Sequence, residues 1–231
     1  MDTDGIPSPL AEQYRRGDKL LCWLLPIYAA AALALALLRD APGLSLGAAT
    51  AWTLAAIVPG LALAALQAGT LAARLAVTFS LTALVVLHIQ ISGGMIEFHF
   101  GVFVTLALVM VYLDWRPIVF AAALFAVHHV GFDRLQAAGF GLYCLRQPDF
   151  GTIVLHALYV VMQTAFEVVF VVWLARDVRG NAEVAQLAKR LSDGDRITLD
   201  VADAQVQAPL ATELKAILLR MAAALRTVRE A

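Results

Sequence analysis

Long apolar segments limit most strongly how this chain can fold. A membrane-spanning helix needs about 20 predominantly apolar residues. Six segments approach that length with few charges: residues 20–38, 46–66, 71–91, 95–113, 118–132 and 152–174. The whole chain is 61% hydrophobic and 15% charged, whereas soluble domains carry about 25% charged residues. The sequence therefore predicts an all-α membrane protein with six transmembrane helices.

Lysine and arginine residues indicate which ends of these helices face the cytoplasm, because cytoplasmic loops are rich in both. If the N-terminus lies inside, 14 of the 17 basic residues fall on the cytoplasmic side. The three on the outer side are Arg39, Arg134 and Arg146. Both termini are therefore expected in the cytoplasm. Cys22 and Cys144 are expected on opposite sides of the membrane, where they cannot pair with each other.

All histidines of the chain lie inside the apolar segments, and the alternating helix directions place them near the outer ends of four helices. They are His88, His99, His128, His129 and His156. Ionisable residues within a membrane are rare and usually functional. We therefore predict a metal site in the outer leaflet, formed by these five residues and Glu97. Because adjacent helical residues point about 100° apart, which of His128 and His129 is a ligand stays open.

Two kinds of cofactor fit such a histidine set. Copper, zinc or iron ions suit clustered imidazoles with a nearby carboxylate. Haem b, held by two histidines, suits an apolar cavity with aromatic walls. Five histidines exceed the two that haem needs, so a metal ion is favoured. Gln90, Tyr159 and Gln163 are expected to support the ligand imidazoles by hydrogen bonds.

The chain becomes polar after residue 175, which divides it into an N-terminal segment (1–19), a membrane region (20–175) and a tail (176–231). Two stretches of the tail have apolar residues at helical spacing. The first includes Val184, Leu187 and Leu191, and the second includes Leu214, Ile217, Leu218, Met221, Leu225 and Val228. Residues 192–201 between them predict a turn followed by an extended connector.

This tail resembles a HAMP domain, the parallel helical linker of bacterial transmembrane receptors. The resemblance is carried by the helix ending at Leu191, the turn Asp193-Gly194-Asp195, and Thr212-Glu213-Leu214 at the start of the second helix. HAMP linkers from two chains form a four-helix bundle. The resemblance therefore implies a homodimer.

The membrane region resembles the six-helix sensor of some bacterial methyl-accepting chemotaxis receptors and related signalling proteins. The matching strings are His88-Ile89-Gln90, residues 94–100, Asp114-Trp115-Arg116-Pro117, residues 126–129 and residues 156–160. The resemblance implies a signal-transduction sensor of the bacterial cytoplasmic membrane, in contact with lipid, that acts on a cytoplasmic chemotaxis or other signalling output. No output module follows the tail, so we expect the sequence to be part of a longer protein.

Other functions are predicted less directly. The sequence lacks a glycine-rich phosphate loop, a nucleophile elbow and a CxxC motif, so neither an enzyme nor a nucleic-acid-binding protein is expected. A metal transporter stays an alternative, because Pro59-Gly60 could break the second helix. A cofactor-free sensor of pH or membrane energy state is the other, since histidine titrates near neutral pH.

Overall fold

The computed structural model describes residues 9–38, 44–193, 196–197, 199 and 201–230, and this part of the chain is largely helical. A 3₁₀ turn, Met110–Tyr112, extends α4, and the two-residue strands Ser192–Asp193 and Arg196–Ile197 pair antiparallel before α7. The helices are α1 (Pro9–Leu38), α2 (Leu46–Gln67), α3 (Leu71–Ile91), α4 (Ile96–Val109), α5 (Trp115–Ala137), α6 (Phe150–Leu191) and α7 (Pro209–Glu230).

The expectation of an all-α, multi-pass membrane protein is confirmed at the level of its helices. Five of the described helices, α1, α2, α3, α5 and α6, are long and apolar enough to cross a membrane. The fourth predicted span is shorter, since α4 and its 3₁₀ turn cover Ile96–Tyr112. Leu113 ends it with a left-handed backbone (φ +52°), and Asp114 then caps α5 by accepting a hydrogen bond from the backbone N–H of Arg116.

Several helix bounds differ from the sequence prediction. Helix α5 begins at Trp115 rather than near residue 118, because a proline in the first turn, here Pro117, lacks only an N–H that has no helical partner. Helix α2 continues through Pro59 rather than breaking there, and the backbone N–H of Gly60 donates to Ser80 Oγ at 3.0 Å. Helix α6 ends at Leu191, as the tail pattern predicts.

Contacts divide the chain into two compact units, Met1–Val172 and Trp173–Ala231. In the first, α3 is the most deeply buried helix, and its apolar side chains pack against α1, α2, α4 and α5. Leu81, Leu84, Tyr112 and Phe125 are among its large buried core residues. Both cysteines are free, as their predicted separation requires.

A buried polar network joins the beginnings of α1, α3 and α5. Asp18 accepts hydrogen bonds from the Tyr112 hydroxyl at 2.9 Å and from the backbone N–H of Gly69 at 2.6 Å. Arg74 donates to Asp114 at 2.9 Å and to the Gly69 carbonyl at 2.8 Å. Removing one partner of a buried ion pair typically costs about 3–5 kcal/mol, so this network holds the helices together at one end of the bundle.

Two further contacts complete the network. The Arg74 guanidinium lies over the Tyr14 ring, 3.7 Å from its centroid, and Arg116 Nε donates to Asp114 Oδ1 at 2.9 Å. Burial raises the pKa of the Asp114 carboxyl, but hydrogen bonds from the side chain and backbone of Arg116 outweigh burial and leave that pKa below its usual value. Asp114 is therefore a carboxylate with two arginine partners.

The second unit has its own small core, formed by Leu187, Val201, Ala204, Ala211 and Leu218. Glu183 Oε2 accepts from the backbone N–H groups of Gln207 and Ala208, both at 2.8 Å. A carboxylate is favoured at a helix N-terminus, and proline suits the first helical position. Helix α7 therefore begins at Pro209, three residues before the predicted start.

Some predicted features of the tail and of the charge distribution lie outside the described residues. These are Arg39, Gly194, Asp195, Thr198 and Asp200. The flanking residues that are described form the two paired strands, whereas the sequence predicted a turn followed by an extended connector.

Replacing Tyr112 by phenylalanine tests the buried network. The change leaves Asp18 without one hydrogen bond, and an unsatisfied buried group costs about 1–3 kcal/mol. We expect the free energy of unfolding in mixed micelles to fall by that amount. The matched control is Tyr159→Phe, because Tyr159 is exposed and its hydroxyl should contribute less than about 0.5 kcal/mol. Equal losses in the two variants would contradict the assignment.

Candidate metal centre

Four of the five predicted histidines come together at the end of the bundle opposite the polar network. His99 lies near the start of α4, His128 and His129 lie on α5, and His156 lies on α6. The ring centroids of His99 and His129 are 5.4 Å apart, those of His129 and His156 5.0 Å, and those of His99 and His156 5.7 Å. The His128 ring lies 5.0 Å from that of His129. The predicted convergence of imidazoles from α4, α5 and α6 is therefore present.

Backbone carbonyls determine the tautomers of two of these rings. His99 Nδ1 lies 3.0 Å from the Met95 carbonyl oxygen, and His129 Nδ1 lies 2.8 Å from that of Phe125. A carbonyl only accepts hydrogen bonds, so Nδ1 carries the proton in both rings and Nε2 presents a lone pair. Metal-binding histidines are commonly oriented by such a hydrogen bond from the other ring nitrogen.

The Nε2 atoms of the cluster are buried without a hydrogen-bond partner within the described part of the chain. This holds for His99, His128, His129 and His156. Buried polar groups are nearly always paired, and each exception needs an explanation. A bound metal ion supplies one, because it accepts the lone pairs of several imidazoles at once.

Cys144 is the residue that sequence reasoning missed. It lies in the loop between α5 and α6 and is fully buried. One ligand atom from each of His99, His129 and Cys144 lies within 4.8 Å of the other two, so these three residues could hold a metal ion. Burial, with a smaller contribution from the charge of Asp133, raises the pKa of the Cys144 thiol to about 12. The available signal was topological: this is the cysteine expected on the same side as the histidines.

Two glutamine side chains hold the loop that carries Cys144. Gln136 Oε1 accepts from the backbone N–H of Cys144 at 3.0 Å, and its Nε2 donates to the Leu145 carbonyl at 2.6 Å. Gln90 Oε1 accepts from the backbone N–H of Tyr143 at 2.9 Å, and its Nε2 donates to the Gly141 carbonyl at 3.2 Å. Gln90 was expected to bond to an imidazole, but its amide positions this loop instead.

Gly94 allows the same loop to approach α4. Its φ of +76° is readily adopted by glycine, and a Cβ at this position would overlap the backbone carbonyl of Leu145. Leu145, the residue after Cys144, therefore packs directly against the backbone of Gly94. The loop can take this position only because residue 94 has no side chain.

Two predicted ligands lie apart from the cluster. His88 Nε2 donates to the Tyr28 carbonyl at 2.9 Å, and its ring contacts Tyr28 and Phe98. Glu97 is exposed and lines a surface cleft of about 660 Å³ with residues 145–149. Glu97 lies on the exposed face of α4, whereas His99, two residues later, lies on the buried face.

Two predicted supporting residues are also placed differently. Tyr159 is exposed. Gln163 Nε2 donates to the Phe103 carbonyl at 3.3 Å and to Glu167 Oε1 at 2.6 Å. Gln163 therefore pairs with a buried carboxyl group deeper in the bundle, while the Phe103 ring contacts His156 at 5.3 Å.

A partly open cleft of about 390 Å³ lies between α5 and α6 and reaches His129 and His156. Its lining is otherwise apolar except for Thr164. The imidazoles therefore face an apolar environment on this side, where an unpaired polar atom is costly.

Comparisons with known proteins identify no relative. No protein-family model, no curated protein and no solved structure matches this chain. The functional conclusion therefore depends on the chemistry of the site.

Gly94→Ala tests how the Cys144 loop is positioned. The added methyl group must displace the loop at Leu145, so we expect Cys144 to react severalfold faster with N-ethylmaleimide. The wild-type rate is expected to be low, because the thiolate is the reactive form of cysteine. All variants carry Cys22→Ser, so that only Cys144 is labelled. Gly47→Ala is the control, since nothing lies within 4 Å of its added Cβ, and equal rates in both variants would contradict the packing.

Proposed function

We propose that this chain is the sensor and linker region of a bacterial transmembrane receptor. A metal ion bound in the outer leaflet changes the packing of the helices that hold it, and the tail passes this change to a cytoplasmic signalling output. The receptor lies in the cytoplasmic membrane, acts as a homodimer, and has a HAMP-like linker of the kind found in chemotaxis receptors. The protein binds and signals and is not an enzyme.

The observation that carries this proposal is the set of donor atoms contributed by His99, His129 and Cys144. Each residue is almost completely buried, and their ligand atoms lie within 4.8 Å of one another. Structural ion pairs or hydrogen bonds would leave these atoms satisfied, as Gln90 and Gln136 are. The unpartnered Nε2 atoms instead match the lone-pair arrangement that a metal ion requires.

The ring contacts favour a small ion over haem b. His129 and His156 are stacked with an interplanar angle of 15° and centroids 5.0 Å apart. A bis-histidine haem must place its macrocycle between the two axial rings, and rings in direct contact leave no room for it. Copper, zinc and iron all accept imidazole ligands.

A six-span arrangement is supported by where α4 begins and ends. His99, near its start, contacts the histidine cluster, and Tyr112, just after its end, bonds to Asp18 in the polar network. Its 17 residues with the 3₁₀ turn extend about 26 Å at 1.5 Å per residue, close to the 30 Å of a bilayer core. With α4 crossing, both termini lie on the same side, and the excess of lysine and arginine there makes it the cytoplasmic side.

The tail provides two features that suit a signalling linker. Helix α6 contains both His156 and the spaced apolar residues Val184, Leu187 and Leu191, so one helix joins the site to the tail. Helix α7 carries an exposed apolar stripe formed by Leu210, Ile217, Met221, Leu225 and Val228. These residues are spaced three, four and seven positions apart, which is the pattern of a helix that packs against a partner helix. A ligand that binds two packings with different affinity shifts their populations.

Metal analysis of the purified chain tests the site. We expect about one ion per chain in wild-type protein, and loss of at least tenfold in affinity for His99→Ala and His129→Ala, because each removes a ligand atom. His88→Ala is the matched control, since His88 is hydrogen-bonded to Tyr28, and it should retain the ion. Loss of metal in the His88 variant alone would refute the proposed ligand set. An intense Soret band in the absorption spectrum would indicate that the site holds haem rather than a metal ion.

Signalling and transport are separated by two further measurements on the chain fused to a working output domain. If the protein is a sensor, we expect an output that depends on metal and is lost in His99→Ala. We then expect no uptake of metal into sealed vesicles. Uptake that requires the same histidines would favour the transporter alternative. An output that follows external pH after metal has been stripped would favour the cofactor-free sensor.

Cysteine crosslinking in membranes tests the dimer. In a Cys22→Ser, Cys144→Ser background, we expect Met221→Cys to form a disulfide between two chains, because it lies on the α7 stripe. Arg220→Cys is exposed but points about 100° away and should crosslink much less. Equal crosslinking at both positions would indicate random collision rather than a parallel seam.

A further inference from the structure

We propose that Cys144 binds the metal as a thiolate, that the ion is copper or zinc, and that the loop of residues 138–149 is a strap that keeps the ion in place. This inference deepens the metal site of the proposed function and depends on it. It names the class of ion and the protonation state of Cys144, and it assigns the positioning of the loop to Gln90 and Gln136.

The first step is that Cys144 lies beside two imidazoles whose unpartnered nitrogens its thiol cannot both satisfy. His99 is 2% exposed and His129 is 5% exposed, and the Nε2 atom of each has no hydrogen-bond partner among the described residues. A neutral thiol offers one weak donor hydrogen, so at least one imidazole stays unpaired beside it. An ion that binds one thiolate and two imidazoles satisfies all three groups.

The second step concerns the fourth position. The His156 ring contacts those of both His99 and His129, and its Nε2 atom is also buried without a partner in the described part of the chain. Two or three imidazoles with one thiolate form a set typical of zinc and copper proteins. Thiolate is a soft ligand that selects these ions over those that prefer oxygen.

The third step concerns the side chains that hold the loop near the thiol. The amide of Gln136 holds the backbone of Cys144 and Leu145 against α5, and the amide of Gln90 holds Gly141 and Tyr143 against α3. Gly94 admits the loop against the start of α4. The strap thus connects α3, α4 and α5 around the ion. Gln90 and Gln136 are positioning residues, because they act on the metal only through the loop.

Cobalt substitution of the full chain in detergent micelles tests the thiolate. Co²⁺ bound to thiolate gives an intense charge-transfer band in the near ultraviolet, whereas imidazole ligands alone give only weaker visible bands. We expect the intense band in wild-type protein and in Cys22→Ser, which removes the cysteine on α1. We expect it to disappear in Cys144→Ser, while the visible bands of histidine-bound cobalt remain.

The outcomes separate this inference from the proposed function. Cobalt that binds through histidines without a thiolate band in wild-type protein would overturn the role of Cys144 and leave the histidine site standing. Absence of any cobalt binding would overturn the proposed metal site itself. Elemental analysis of the chain as purified should find copper or zinc, and stoichiometric iron would contradict the selection by thiolate.

The rate of metal release tests the strap. Loss of residues that support metal ligands typically costs 10–100-fold in affinity, so Gln136→Leu and Gln90→Leu should release cobalt to a chelator about 10-fold to 100-fold faster. The control, Gln163→Leu, removes an amide that bonds to Phe103 and Glu167 instead, and its rate should be unchanged. The variant Gln136→Glu can still accept a hydrogen bond from the backbone N–H of Cys144, so it should release cobalt more slowly than Gln136→Leu. Wild-type release rates in both loop variants, with the thiolate band intact, would refute the strap.

Discussion

The requirement that buried polar atoms be paired controls both ends of this helical bundle. At one end, Asp18, Arg74 and Asp114 are buried, and each carboxylate is bonded to a cation, a hydroxyl or a backbone N–H group. At the other end, several imidazole nitrogens are equally buried but have no partner in the described part of the chain. In an apolar environment, losing any partner of the first arrangement is costly, and the second arrangement marks the place where a ligand is needed.

The two ends depend on each other through α4. This helix is short, and it is anchored at one end by Tyr112 bonded to Asp18 and at the other by His99 in contact with His129. The network ties α1, α3 and α5 at the Tyr112 end and so determines which part of α4 reaches the histidines. The polar network therefore holds one end of α4 in place, and in the proposed sensor a metal-dependent movement would occur at the other end.

The loop between α5 and α6 brings a different kind of constraint. It contains no regular element, and it is held by two side-chain amides, by Asp133, which accepts from the backbone N–H of Asp149, and by the absence of a side chain at Gly94. The contact between Gln90 and Gly141 joins residues 51 positions apart, whereas that between Gln136 and Leu145 joins residues nine positions apart. A loop held in this way can place Cys144 beside the histidines without a regular element of its own.

Much of the site was visible in the sequence, and particular residues show why the rest was not. Depth in the membrane follows from helix direction, so the convergence of His99, His128, His129 and His156 could be predicted. The face of the helix on which a side chain lies does not follow from its depth in the membrane. His88 shares the predicted depth but turns to the Tyr28 carbonyl, and Glu97 shares the first turn of α4 with His99 but is exposed.

The sequence by itself determined that the chain is helical and apolar enough to cross a membrane several times, and that its histidines collect at one end. These properties depend on hydrophobic length and on the alternation of helix direction, which are local. Only the tertiary structure decided that Cys144 joins His99 and His129, that Gln90 and Gln136 hold a loop, and that His88 is used elsewhere. Those outcomes depend on helix rotation and loop packing, which arise from contacts between residues distant in the chain.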